Sequence, residues 1–228
     1  ATCYKSCHTG LPAADGSSRH FTNFTSEKID MWHWKSVRGG VNAGYQIHDQ
    51  YQTNTYPNGR KSDEGGTDVY TNNTQSLNNG TANVNVPKYV IPNKTNNYWI
   101  LDSEISAGTA KLVTAVDING VLTLEGGATI DPNTDTGYQR AGANGAPKGI
   151  AGLTLKDAGY GGTQGDITCK AVWANSKWTM EFKRKLSTGD AYDIDFTSLS
   201  DQYFGFAIFE NAQIAHSIKP NLVLKFKK

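Results

Sequence analysis

Cys3, Cys7 and His8 fall within one short stretch, TCYKSCH, and Cys169 is the only other cysteine in the chain. Two thiols followed directly by an imidazole support three chemistries. In C-x-x-C-H stretches the thiols add across the vinyl groups of a haem, and the histidine binds its iron as proximal ligand. The spacing here, C-x-x-x-C-H, is one residue longer and still places both sulfurs within reach of the macrocycle. A disulfide between Cys3 and Cys7 is the second reading, because an exported chain would oxidise a loop of that size. Zinc is the third, but it needs four ligands, and the sequence offers no second Cys/His cluster at finger spacing. A shuffled chain of this composition yields the C-x-x-x-C-H pattern roughly once in a thousand trials, which disfavours chance. Haem attachment is the preferred reading. Cys169 stands alone on the apolar face of a strand and is expected to be a buried core thiol.

A haem held by His8 needs a second strong ligand if it is to carry electrons and not bind oxygen or peroxide. The remaining histidines are His20, His33, His48 and His216, and the methionines are Met31 and Met180. His33 lies between Trp32 and Trp34 and reads more readily as a histidine hydrogen-bonded among indoles than as a ligand. His48 is next to Asp49, a pairing expected at a surface or turn.

The elements that must position these groups are strands. Ile167, Cys169, Ala171 and Trp173 alternate with polar residues, Asn175-Ser176 makes a turn, and Trp178, Met180 and Phe182 alternate back. The run YFGFAIF, Tyr203 to Phe209, suits a central strand, and Leu222, Leu224 and Phe226 alternate into the C-terminus. DAYDIDF, Asp190 to Phe196, also reads as short β-like steps. Upstream, Tyr98–Leu101, Lys111–Val116 and Val121–Glu125 are expected strands, the last two joined through an Asn-Gly turn. Residues 50–86 and 126–165 read as long loops or decorated hairpins. No helical stripe exceeds two turns. Short strands with regular turn signals predict an all-β fold, an immunoglobulin-like antiparallel β-sandwich, as one domain over residues 1–228 with an attachment segment at 1–35.

Composition narrows the function. Twenty-two Lys and Arg against 21 Asp and Glu give a net charge of +1, so there is no electrostatic case for nucleic acid or an anionic membrane surface as partner. No apolar stretch is long enough for a transmembrane helix. Four sequons, at Asn23, Asn72, Asn79 and Asn93, agree weakly with a secreted chain. G-x-S-x-G and H-E-x-x-H are absent, which removes the commonest hydrolase frames.

The segment IDMWHWK, Ile29 to Lys35, resembles the D-x-W-H-W-K signature of the ethylbenzene-dehydrogenase-related haem-binding domains. In c-type members of that family a G-C-x-x-x-C-H stretch lies just ahead of the signature, as TCYKSCH does here. WTMEFKRKLSTGDAYDIDF and YFGFAIFENAQIAHSI are similar to its W-x-x-E-F-x-R-x-L-x-T-G-D motif and the F-G-x-A-I-F strand that follows. The likeness covers residues 3–35 and about 166–226, and the stretch between is not matched by any quoted motif.

The resemblance implies a β-sandwich whose long loops enclose a haem, in proteins that transfer electrons outside the cytoplasm. It does not imply ethylbenzene oxidation, which belongs to a molybdenum-containing partner subunit. In b-type members a lysine just before the last strand ligates iron, and His216 falls near that place, so His8 and His216 are the expected axial pair. Lys219 and His33 are the alternative distal ligands. One covalent haem c would then be anchored by Cys3 and Cys7, with Trp32 and Trp34 beside it. The expected partner is a redox protein or oxidoreductase complex, and the expected location is extracytoplasmic, in the periplasm or at the cell surface. Family members carry a strand upstream of the cysteines, where this chain begins. A strand donated by a neighbouring copy would fill that place and build a haem-stacked filament. The competing class is a secreted, non-redox binding or adhesion module closed by a Cys3–Cys7 disulfide.

Overall fold

The computed structural model describes residues 21–22, 24–39, 46–55, 59–92, 94, 99–135, 150–209 and 216–227. Cys3, Cys7, His8 and His20 lie outside the described residues. The described chain is almost entirely β, as expected, and its pairing is antiparallel apart from one parallel pair of strands.

The chain divides into two compact units. The first contains residues up to Trp34, Ile47–Gly66 and Gly162–Lys228, and the second contains Lys35–Gln46 and Thr67–Gly161.

The second unit holds β4 (Tyr70–Asn72), β5 (Gln75–Asn78), β6 (Asn83–Val86), β7 (Tyr89–Val90), β8 (Trp99–Leu101), α1 (Asp102–Ser106), β9 (Lys111–Val116), β10 (Leu122–Leu124), β11 (Thr129–Ile130) and β12 (Leu153–Leu155). A four-stranded sheet runs in the order β11-β10-β9-β7, and β12 pairs with β4 antiparallel and with β8 parallel. The β9–β10 turn falls at the expected Asn-Gly. Asp117 Oδ1 accepts from the Asn119 and Val121 amides, and Gly120 takes φ +85°. Val86, Val90, Val113, Val116, Leu122, Leu124 and Ile130 close a dry core. Residues 67–86 and 126–155, expected as long loops or decorated hairpins, contribute β4, the β5–β6 hairpin, β11 and β12 to this unit. Their strands are two to four residues long, too short to carry an alternation signal.

The first unit is built differently. β1 (Ile29–Trp34), β2 (Ile47–Gln52) and β3 (Arg60–Ser62) form an antiparallel sheet, followed by a 3₁₀ turn at Gly162–Gly165. β13 (Thr168–Ala174) and β14 (Lys177–Lys183) form the expected hairpin, pairing Cys169 with Phe182, Ala171 with Met180 and Trp173 with Trp178. Its turn residues Asn175 and Ser176 have φ +51° and +58°, the left-handed values that a tight two-residue hairpin requires. β15 (Gln202–Ile208) pairs with β16 (Ser217–Leu224). Here the expectation of a central strand is corrected. Among the described residues β15 has β16 as its single neighbour, and Tyr203, Phe206 and Ile208 are more than half exposed. DAYDIDF is likewise not a strand, because its aspartates turn back on the local backbone. Asp190 Oδ1 accepts from the Tyr192 amide at 2.8 Å, and Asp195 Oδ1 accepts from the Thr197 amide at 2.7 Å.

Candidate functional site

The polar interior of the first unit marks its site. All six residues of β2, IHDQYQ, are buried, and four of them are polar or charged: His48, Asp49, Gln50 and Gln52. Buried polar residues at this density are rare in a strand held together only by apolar packing. The surface or turn position expected for His48 and Asp49 is therefore wrong. Both are in a fully covered strand, at 3% and 0% exposure.

Strand alternation divides the IDMWHW segment into two faces. Asp30, Trp32 and Trp34 lie on one, opposite Tyr51, Asp49 and Ile47 of β2. Trp32 meets Phe182 edge to face at 5.5 Å and Phe196 at 6.3 Å, and the Arg184 guanidinium lies 5.2 Å from its ring centre. Trp34 meets Trp178 at 4.8 Å. Both expected haem neighbours thus have aromatic partners on β14, or in the loop that follows it.

His33 lies on the opposite face. Its Nδ1 is 3.2 Å from Gln50 Oε1 and accepts from Arg60 Nη2 at 2.5 Å, while Arg60 also donates to Gln50 Oε1. His33 Nδ1 is thus engaged by both Arg60 and Gln50 on this face.

The Trp32 face carries an acidic cluster that sequence reasoning missed. Asp30, Asp49 and Asp193 bring carboxylate oxygens within 4.8 Å of one another, and so do Asp63, Asp190 and Asp193. Arg184 is the cation among them. Its Nη1 donates to Asp30 Oδ2 at 2.5 Å and its Nη2 is 3.9 Å from Asp193 Oδ2, with the Arg184 side chain 2% exposed. The Ile194 amide completes Asp30 Oδ2 at 3.0 Å. Tyr192 stacks on Tyr51 with centroids 3.8 Å apart, and Lys28 Nζ donates to the Ala191 carbonyl, so the loop after β14 is tied down along its length.

Crowding carboxylates away from water raises their affinity for protons. Burial, then the charges of Asp30, Asp193, Asp63 and Asp166, push Asp49 up to about 9. Burial, then Asp193, Asp190, Asp30 and Asp166, push Asp63 up to about 7. Asp166 and Asp193 are also raised, chiefly by burial, with Arg184 opposing. No local motif could have revealed the cluster, whose members come from β1, β2, the end of β3 and the loop after β14. The one sequence sign was the aspartate density of TGDAYDIDF.

His216, expected as the distal ligand, is half-buried just before β16, and its ring stacks on exposed Phe209 at 4.3 Å. Lys219 is exposed and pairs with Phe206 across an irregularity in the β15–β16 register. Cys169 is a half-buried free thiol, less covered than the core position expected for it, and burial pushes its thiol pKa up. The structure brings Trp32 and Trp34 to the acidic cluster's face and leaves His33 on the reverse face of the same strand.

No curated protein and no solved structure matches the chain. A family model described as ethylbenzene dehydrogenase matches residues 1–220, a span that includes the TCYKSCH stretch, the IDMWHWK segment and the middle region that no quoted motif covered. With that match over nearly its whole length, the chain belongs to the ethylbenzene dehydrogenase family.

Proposed function

We propose that the protein is an exported mono-haem c-type cytochrome that passes single electrons to a redox partner or oxidoreductase complex. The observation that carries this reading is the position of Cys3, Cys7 and His8 inside the family match, ahead of the IDMWHWK signature. Bound there, the haem would supply a reversible one-electron change at iron. Cys3 and Cys7 would hold it covalently, and His8 would supply a nitrogen ligand to its iron.

The described residues fit such a group in two respects. A macrocycle needs apolar walls, and all the exposed large hydrophobics but Ile118 belong to the first unit, most of them on β13 to β16. The distal ligand must offer a nitrogen lone pair toward iron. His33 is held by Arg60 and Gln50 on the face of β1 opposite Trp32 and Trp34, which supports His216 over His33. Trp32 and Trp34, the expected neighbours of the haem, would exclude water beside it and tune its redox potential.

We extend the same reading to polymerisation through a donated strand, because an open sheet edge accepts a strand from another copy. A monodisperse monomer at high concentration in light scattering would contradict that extension. The absorbance spectrum of the exported protein tests the proposal itself. An intense Soret band with a sharp α-band on reduction is expected, and a colourless protein would overturn the cytochrome reading in favour of a binding module.

A further inference from the structure

We propose that Asp63, Asp190 and Asp193 form a structural calcium site that fastens the loop after β14 to the end of β3. Their three carboxylates present oxygens within 4.8 Å of one another, close enough to share one cation. Three charges at that separation repel strongly unless something positive lies among them.

Asp63 supplies the independent observation. It is 2% exposed, and neither of its carboxylate oxygens meets a hydrogen-bond donor. A buried carboxylate with two idle oxygens is costly, and proteins retain one where an ion or a shared proton compensates it. The other two carboxylates are each steered by one donor and keep one oxygen over. Asp190 Oδ1 accepts from the Tyr192 amide at 2.8 Å, and Asp193 Oδ2 accepts from Thr188 Oγ1 at 2.5 Å. Donors of this kind orient first-sphere carboxylates in metal sites.

Arg184 reaches only the Asp193 corner of this triad. Its Nη1 is committed to Asp30, and its Nη2 is 3.9 Å from Asp193. The Asp30, Asp49 and Asp193 group shares Asp193 with this triad, and there the guanidinium already supplies positive charge. Gln164 neighbours Asp63. Its Nε2 donates to the Asp63 carbonyl at 3.2 Å, and its Oε1, in a residue 7% exposed, meets no donor.

The donor set selects the ion. Oxygen ligands without nitrogen or sulfur suit a hard cation and disfavour zinc or copper. Carboxylates carried by a loop and a strand end suit calcium, which accepts six to eight oxygens in flexible geometry, better than magnesium, which demands a near-ideal octahedron.

Calorimetric titration of the EGTA-treated full-length protein with calcium chloride tests the site. One equivalent is expected to bind, with a rise of several degrees in Tm at about 100-fold excess over Kd, and an equal concentration of magnesium chloride to give less. Asp63→Asn and Asp190→Asn should each weaken calcium binding at least tenfold. The calcium-free Asp63→Asn protein should melt no lower than the calcium-free parent, because an idle buried charge has been removed. Absence of calcium uptake by the parent up to about 10 mM, beyond the range of extracellular calcium modules, would overturn the proposal. So would an Asp190→Asn variant that binds calcium as the parent does.

Discussion

Asp30 and Arg184, 154 residues apart, form a buried ion pair with Nη1 2.5 Å from Oδ2, their side chains 3% and 2% exposed. Asp30 is the first residue of the D-x-W-H-W-K signature, and Arg184 is the arginine of the W-x-x-E-F-x-R-x-L-x-T-G-D motif. Two family motifs that look independent along the chain are the two halves of one contact. Trp32 of the first motif lies beneath the same guanidinium.

Breaking that pair is expected to be expensive. Replacing Arg184 by methionine leaves the Asp30 carboxylate buried without its cation, a loss of about 3–5 kcal/mol. Asp30→Asn alone strands the guanidinium in the same way. In urea unfolding the double variant should lose clearly less than the sum of the two single losses. Additive losses would show that the two residues are not coupled.

The acidic cluster predicts an unusual pH dependence in calcium-free protein. Asp49 is pushed up to about 9 and Asp63 to about 7, against the ordinary carboxylate value near 4 in the unfolded chain. Between about pH 4 and those raised values the folded state holds protons that the unfolded state has released. Stability therefore falls as pH rises through the window, by at most about 1.4 kcal/mol per pH unit for each group. Thermal melts in EGTA should give a lower Tm at pH 8 than at pH 5, and Asp49→Asn should flatten the trend. A Tm that climbs over the same interval would contradict the burial described for these carboxylates.

The β13–β14 turn offers a local check. Ser176 takes φ +58°, where a Cβ is strained and glycine is not. Ser176→Gly is expected to stabilise the protein by about 0.5–1 kcal/mol in denaturant unfolding. Destabilisation would mean that the turn is not left-handed.

The hairpins were legible because their signal is local. Trp173, Trp178 and Phe182 alternate on either side of Asn175-Ser176, and Asn119-Gly120 closes β9 onto β10. β2 was illegible for the opposite reason. IHDQYQ has almost no apolar pattern, since its buried face is completed by polar partners such as Arg60 and by Asp30 and Asp63, all supplied by other parts of the chain. DAYDIDF misled because Asp190 and Asp195 imitate the polar positions of a strand while their carboxylates bind backbone amides two residues on. The resemblance read from the two motifs agreed with the family match, yet the contact joining them appears only in three dimensions.

Ligation by His216 has a spectroscopic consequence. His216→Ala should move the oxidised spectrum toward five-coordinate, high-spin haem while the haem stays attached. An unchanged low-spin spectrum would transfer the role to Lys219 or His33, and Arg60→Met with His33→Ala would then separate those two.

The central claim is covalent attachment at Cys3 and Cys7, and acid-acetone extraction followed by a pyridine haemochrome spectrum of the precipitated chain tests it most directly. The account predicts that haem stays with the protein, and that it passes into the solvent once Cys3 and Cys7 are both replaced by serine. Haem fully extractable from the unaltered chain, or a pellet without haem that contains a Cys3–Cys7 disulfide, would contradict it.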